Sequence, residues 1–394
     1  MFCKGVPLFL CIVFVASAAA SAAEIRFIPM LSIKEAYNDN VFFEDTYQQK
    51  TNDSVTTISP GLRITGRTEQ VDSSLQTMLN VLRYHDQHDL DTTDSDNRSY
   101  LGYKFSERWD ASLDARYTSD SRIDRDIENT GLVVGTARRK KQVYGVTTSY
   151  LCTEKGLLDF SYEYGKEDYN DQEFSDSTYQ NIGLGFGYNL DSILSQSMAR
   201  LDLVYALYSF TDTDVVSSAI TIGASRKLNE QVNLSADAGS SFTRSSFEEE
   251  NVSFGVEDQG SERGAIGGVQ LSYRDDYTSA KLSARKEIKG LSGSPGTVRA
   301  TTYSFQLTHM FTRKFKSDMS AEYYINRANR GQLAGEDIDE DTLNIRPRLI
   351  YSFNDYLTLE AAYRFVRLRD HIEDLETKQK IASLSLVWQY PIPR

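Results

Sequence analysis

The stretch FKSDMSAEYYI, Phe315 to Ile325, alternates apolar and polar side chains almost residue by residue. As an extended strand it would place Phe315, Met319, Ala321, Tyr323 and Ile325 on one face, and Lys316, Asp318, Ser320, Glu322 and Tyr324 on the other. Strict period two over about ten residues is typical of a strand that separates an apolar from a polar environment. This stretch therefore predicts a β-strand with two unlike faces.

Similar runs recur along the whole chain and predict about 18 strands. They begin near residues 25, 54, 73, 97, 109, 137, 156, 177, 198, 214, 231, 263, 277, 299, 315, 341, 356 and 378. Short connections such as 106–109, 274–277 and 353–356 alternate with long polar ones near 38–53, 87–96, 122–136, 245–262, 289–299 and 328–341. This pattern predicts an all-β fold, a transmembrane antiparallel β-barrel with short periplasmic turns and long extracellular loops. A secreted soluble sandwich or solenoid is the alternative.

The distribution of aromatic residues favours the barrel over the soluble fold. The chain has 24 Tyr and 19 Phe although its mean hydropathy is −0.45. Many aromatics flank the short turns, for example Phe105 and Trp109, and Phe311 and Phe315. Aromatic rings gain most at the boundary between lipid and water, so these pairs predict a periplasmic girdle.

The N-terminus predicts export. Lys4 precedes the uncharged apolar run 6–20, and Ala20-Ser21-Ala22 offers a small-residue cleavage site. We expect residues 1–22 to be a cleaved signal peptide and 23–394 to form one barrel domain. Cys152 is then the only remaining cysteine, so no intramolecular disulfide can form. The predicted location is the outer membrane of a Gram-negative bacterium, among its lipids and lipopolysaccharide.

Two short motifs lie in the first two predicted strands. The first is Glu35-Ala36-Tyr37-Asn38-Asp39-Asn40-Val41-Phe42, and the second is Ser59-Pro60-Gly61-Leu62. On these residues the chain resembles the type 2 β-barrel porin family, outer-membrane barrels associated with exopolysaccharide loci. The family motif would comprise Glu35, Tyr37, Asn38, Asp39, Asn40, Pro60 and Gly61. The resemblance implies a role in exporting a surface or extracellular polysaccharide, as conduit or as partner of a periplasmic export protein.

Alternation also predicts which charged residues line the lumen. They are Asp114, Arg116, Asp159, Glu163, Arg200, Asp202, Lys281, Arg285, Asp318, Glu322, Arg346, Arg348, Glu360 and Arg364. Both signs interleave, so neither anion nor cation selectivity follows from the sequence. A barrel of this strand number is wide enough for an aqueous channel unless loops fold in. Alternatively, these charges pair across strands and seal the lumen.

Two further kinds of charged segment are candidate sites. Arg138, Arg139, Lys140 and Lys141 lie where a long loop re-enters the barrel, and we expect them to contact lipopolysaccharide phosphates; ordinary rim charge is the alternative. The acidic stretches Asp86–Asn97 and Glu336–Asp341 lack the glycine of a calcium-binding EF-hand loop, and the first also lacks the closing glutamate. We therefore expect solvated acidic loops and no metal site.

The sequence offers little for catalysis or cofactors. It has four histidines, and we find no phosphate-binding glycine loop and no CxxC pair. We predict no enzyme activity and no cofactor, and the net charge of −13 argues against nucleic-acid binding. Three functions remain open: polysaccharide export, a general or solute-specific diffusion porin, and a structural sheath for another outer-membrane complex.

Overall fold

The chain folds into one large antiparallel sheet. The computed structural model describes residues 24–122, 126–127, 130–132, 137–247, 259–329 and 337–393, so the predicted signal peptide lies outside the described residues. The strands are β1 (Glu24–Asn38), β2 (Asp53–Arg67), β3 (Val71–Tyr84), β4 (Thr92–Ser106), β5 (Trp109–Asp120), β6 (Arg139–Leu151), β7 (Gly156–Tyr169), β8 (Ser177–Asn189), β9 (Ser197–Phe210), β10 (Thr213–Lys227), β11 (Val232–Phe247), β12 (Gln259–Arg274), β13 (Thr278–Gly290), β14 (Thr297–Met310), β15 (Phe315–Ala328), β16 (Ile338–Ser352), β17 (Leu357–Asp370), β18 (Leu375–Gln389) and the two-residue β19 (Ile392–Pro393).

The sheet closes on itself. Each long strand pairs with its neighbours in sequence, and β1 pairs with β18 from Met30 opposite Gln389 to Asn38 opposite Ile381. The short β19 continues beside the start of β1. Hydrocarbon offers no partner to an unpaired strand edge, so closure satisfies the main requirement for a membrane-spanning sheet. The predicted transmembrane antiparallel β-barrel of 18 strands is confirmed.

Helical structure is sparse in the described ranges. A single 3₁₀ turn, His88–Leu90, connects β3 to β4. None of the helices in these ranges is long and apolar enough to cross a membrane.

The observed strands begin within about five residues of the predicted starts. Two expectations about loops need correction. The outer connection between β9 and β10 has two residues, 211–212, and the one between β17 and β18 has four, 371–374, so the outer loops are not uniformly long. Neither acidic stretch is all loop, because β4 starts at Thr92 within Asp86–Asn97 and β16 starts at Ile338 within Glu336–Asp341. The long connection predicted near 245–262 falls mostly on residues 248–258, which lie outside the described residues.

The outer surface of the barrel is apolar and ringed by aromatics. On β18, Leu384, Leu386 and Trp388 are exposed on the outside. At the end with the short turns, Phe105 stacks on Trp109 with ring centroids 4.2 Å apart, and Phe311 stacks on Phe315 at 5.1 Å. An apolar outer surface with aromatic rings at one end is typical of a barrel that lies in a bilayer.

Candidate functional site in the lumen

The inner face of the barrel encloses polar cavities. The residues predicted to line the lumen lie along these cavities, except Glu360, which contacts Arg348 instead. Two of these cavities have volumes of about 950 and 1030 Å³. The interior therefore holds water-accessible space beneath its outer end.

Many of these charges pair along the inner wall, either within one strand or across one intervening strand. Arg200 lies 2.6 Å from Asp202 and 3.0 Å from Asp159, measured from guanidinium nitrogen to carboxylate oxygen. Arg285 pairs with Asp237 at 2.8 Å. Such half-exposed pairs contribute little stability each, about 0–1 kcal/mol, but they fix the positions of the side chains on the wall.

A segment between β5 and β6 crosses the lumen. Of this crossing segment, residues 121–138, the structure describes 121–122, 126–127, 130–132 and 137–138. The side-chain amide of Asn326 on β15 donates to the carbonyl oxygen of Thr130 at 2.8 Å. The hydroxyl of Thr342 on β16 donates to the carbonyl oxygen of Gly131 at 2.5 Å. Strands β5 and β6 lie about halfway round the closed order from β15 and β16, so the segment spans the barrel.

Gly131 allows the close approach of the crossing segment to the opposite wall. Its φ is +75°, a left-handed conformation that favours glycine. A Cβ atom added there would lie 2.5 Å from the Cβ and Cγ of Tyr324. No L side chain fits this contact without moving the backbone.

Apolar contacts hold the crossing segment in two places. Ile127 is fully buried and packs with Phe43 and Val366. Leu132 packs with Leu291 and neighbouring residues of β14 and β15. These clusters form an apolar core inside the outer end of a barrel whose remaining lumen is polar.

The motif residues Asn38 to Asn40 fold the first outer loop, residues 39–52, into the same end. Asn40 is fully buried, and its side-chain amide donates to the carbonyl oxygens of Glu44 (2.7 Å) and Lys378 (3.1 Å). Its side-chain oxygen accepts from the Glu44 N–H at 2.8 Å, and Asp39 accepts from the Lys380 N–H at 2.6 Å. The motif thus fixes the loop to β18.

The other motif residues lie on the barrel wall. Glu35 is exposed on the outer face, where its carboxylate accepts from the Thr56 hydroxyl at 2.6 Å, and Tyr37 is exposed beside it. Pro60 faces outward, at a point where the registered pairing of β2 with β3 is interrupted between Ile58 and Gly61. A proline is tolerated there because it cannot donate to a strand ladder.

Arg139 joins the crossing segment to the barrel wall. Its guanidinium contacts the carboxylates of Asp126 (2.8 Å), Asp120 (3.0 Å) and Glu167 (3.6 Å), and donates to the Ser292 hydroxyl at 3.1 Å. We call these five residues the Arg139 cluster. Asp126 belongs to the crossing segment and Ser292 to the loop between β13 and β14, so one cation bridges two inward-folded segments and two strands.

The predicted lipopolysaccharide contact of Arg138 to Lys141 does not fit this arrangement. The side chain of Arg139 is only 5% exposed, and Lys141 pairs with Glu167 inside the barrel. Arg138 donates to the Thr93 carbonyl and the Ser119 hydroxyl at the outer end. Lys140 is exposed on the outer face, and for it the lipid contact stays a prediction. The strand alternation of β6 turns Arg139 and Lys141 inward, away from the side on which Lys140 lies.

The stretch of acids before β4 is divided in a similar way. Asp94 and Asp96 lie in β4 and face inward, where Asp94 is nearly buried and Asp96 pairs with Arg98 at 2.8 Å and Arg116 at 3.3 Å. Within the described ranges, no group of three His, Cys, Asp or Glu side chains is placed to hold a metal ion.

His85 and His88 lie in the connection between β3 and β4, His371 follows β17, and His309 lies in β14. On the outer face, one ring nitrogen of His85 contacts both Thr56 (3.1 Å) and Glu35 (3.3 Å), which is not the relay of a nucleophile, base and orienting group. His309 contacts Phe311 on the outer face, with ring centroids 4.6 Å apart.

The fold and site define a class. A closed antiparallel barrel with an apolar outer band, aromatic girdle and polar lumen is an outer-membrane β-barrel of a Gram-negative bacterium. Its even number of long strands places both described ends of the chain on the side of the short turns, the periplasmic side.

The comparisons with known proteins give distant likenesses. No protein family and no curated protein matches the chain. Among solved structures it is similar to Pseudomonas aeruginosa OpdK with vanillate (8% identity, 93% of this chain and 99% of that chain, TM-score 0.46). It is also similar to P. aeruginosa OccK5 (11% identity, 94% of this chain and 98% of that chain, TM-score 0.47). A third similar structure is Acinetobacter baumannii OccAB4 (9% identity, 93% of this chain and 98% of that chain, TM-score 0.47). The class therefore rests on the closed strand order of this chain itself.

Proposed function

We propose that the protein is a passive conduit for polar solutes whose outer mouth is narrowed by inward-folded segments. The observation that carries the proposal is the contrast between the two ends of the lumen. Polar cavities occupy the interior, whereas the crossing segment and the first outer loop bury the wall residues at the outer end. A wall of charged and hydroxyl side chains suits hydrated solutes, and the segments would set what passes.

The proposal is tested by removing the crossing segment. We would replace residues 121–137 with a short Gly-Ser turn and measure single-channel conductance in planar bilayers. The wild type should conduct weakly and the shortened variant strongly and steadily. A matched control shortens the connection between β3 and β4, residues 85–91, and should conduct like the wild type. A folded shortened variant that passes no current would refute the conduit.

We propose polysaccharide export as a second candidate, supported by the family resemblance. The residues that carry it, Asn38 to Asn40, build the turn that holds the first outer loop inside the mouth. The partners would be the polymer and a periplasmic export protein. Loss of extracellular polysaccharide on gene deletion, restored by complementation, would support this role. Unchanged polymer with altered solute uptake would favour the simple porin, and copurification of an occupant would favour a sheath.

We keep two further predictions as proposals. The barrel is not an enzyme, and residues 1–22 are removed on export. Assays of purified protein on lipid and ester substrates and N-terminal sequencing of the mature protein test them directly.

A further inference from the structure

One chamber of the lumen differs from the others in the sign of its charge. Three other lumen cavities between described residues are close to charge balance. The 1030 Å³ cavity is lined by eight bases and seven acids, the 950 Å³ cavity by three bases and four acids, and a 360 Å³ cavity by three of each. The chamber between the β1–β2 wall and β15–β17 is lined by five bases and one acid. These residues are Lys34, Arg122, Arg346, Arg348, Arg364 and Asp318.

The bases come from several elements and meet across the chamber. Lys34 lies on β1, Arg364 on β17, and Arg122 at the start of the crossing segment. Lys34, Arg122 and Arg364 also line the neighbouring 1030 Å³ cavity, so they lie at the border of two compartments. A solute that moved between the compartments would pass these three cations.

Neighbouring carboxylates neutralise part of this charge. Arg348 is held by Asp318 at 2.7 Å and by Glu360 at 3.4 Å. Arg346 has Glu322 at 3.8 Å, and Arg122 has Asp94 at 3.9 Å. Glu322, Glu360 and Asp94 do not line the chamber, whereas the bases do. The charged side chains that line the chamber are therefore mostly basic.

We propose that this chamber binds a small solute bearing an oxyanion, a carboxylate or a phosphate group. The guanidinium groups of arginine and the ammonium group of lysine donate the charge-assisted hydrogen bonds that such oxygens accept. The chamber volume of about 570 Å³ fits a small organic molecule. A cleft lined by one sign of charge also raises the local concentration of the opposite ion.

This inference rests on the proposed conduit, because it names the class of solute that the conduit takes. The anion site and the conduit can be refuted separately. Binding is measured on detergent-purified protein by isothermal titration calorimetry and requires no current. Binding without conductance in any variant would leave the site standing and refute the conduit, whereas conductance without binding would refute the site.

The probes are succinate, inorganic phosphate and uncharged erythritol, each at millimolar concentration and low salt. We expect succinate, phosphate or both to bind, and erythritol not to bind. Heat from succinate alone assigns a carboxylate ligand, and heat from phosphate alone a phosphate ligand. No heat from either anion, or equal binding of erythritol, would overturn the proposal.

Two variants locate the site. Lys34→Gln and Arg122→Gln each remove one chamber cation, and each should weaken the anion affinity about tenfold, the effect of losing one charge-assisted hydrogen bond. Lys281→Gln removes a cation that lines the balanced 360 Å³ cavity and should leave affinity unchanged. An equal loss in Lys281→Gln, or no loss in either chamber variant, would show that the anion does not bind in this chamber.

Discussion

Replacing Arg139 with methionine should release the crossing segment from the wall. The substitution keeps an unbranched side chain but removes the cation that lies among Asp120, Asp126 and Glu167. All three carboxylates are nearly buried, so the substitution would leave them without that cation where little solvent reaches them. Removing one member of a buried ion pair costs about 3–5 kcal/mol. Lys141 still pairs with Glu167, so we expect the lower part of that range.

This cost is similar in size to the combined contribution of the burial of Ile127 and the two hydrogen bonds to the opposite wall. Burial of Ile127 contributes about 1.5–3 kcal/mol. The hydrogen bonds to the carbonyl oxygens of Thr130 and Gly131 contribute about 0.5–1.5 kcal/mol each. A loss of about 3–5 kcal/mol would raise the ratio of released to docked segment between about a hundredfold and several thousandfold. Release should become frequent on the timescale of a channel recording.

The assay is single-channel conductance of Arg139→Met in planar bilayers, with folding verified by heat-modifiable migration in electrophoresis. The matched control is Arg138→Met, which removes the same charge from a neighbour whose observed acceptors are neutral oxygens. Adding Asp126→Asn to Arg139→Met should lower the conductance again, because one uncompensated carboxylate is removed. A folded Arg139→Met barrel with the current of the wild type would refute the idea that Arg139 holds the crossing segment against the wall.

Three other substitutions test separate features. Gly131→Ala should increase conductance, because the left-handed backbone and the contact with Tyr324 exclude a Cβ, whereas Gly264→Ala should not, since its Cβ would meet only Ser241 Oγ at 3.4 Å. Asn40→Ala should speed amide hydrogen exchange in residues 41–51, because each lost buried hydrogen bond costs about 1–3 kcal/mol. Trp109→Ala should lower the urea midpoint in liposomes by removing a girdle ring that stacks on Phe105. Tyr47→Ala, 79% exposed in the first outer loop, serves as the control for the last two and should change neither quantity.

The sequence was sufficient to predict the barrel because each strand meets lipid on one side and water on the other. That contrast requires apolar and polar residues to alternate along every strand. The strand starts predicted from this alternation therefore lie close to the observed ones. The same rule could have corrected the interpretation of Arg138 to Lys141. With a strand beginning near residue 137, alternate members must face opposite sides, so four consecutive cations cannot all lie on one rim. Asp94 and Asp96 carry the same signal, because they alternate with Thr93 and Ser95.

The inward folding of the loops was not predictable by these means. Gly131 and Tyr324 are in contact although they lie 193 positions apart in the chain. The alternation of apolar and polar residues cannot predict such a contact. Ile127 is a single apolar residue in a polar connection, and its burial depends on Phe43 and Val366 from distant parts of the chain. The basic chamber likewise appears only when β1, β16, β17 and the crossing segment are brought together. Alternation gives the face of a residue but not its neighbours across the lumen.

The pairing of β1 with β18 constrains how the molecule can be made. The first and last long strands are the farthest apart in the chain, yet they share nine registered residue pairs. Until β18 has emerged from synthesis and been exported, β1 has no partner on that side, and two open edges face water or hydrocarbon. Membrane assembly must therefore await the whole chain, and the periplasm must hold a long, unpaired polypeptide until its end arrives. A nonsense mutation that removes only the last strand would abolish the barrel as completely as one near the start.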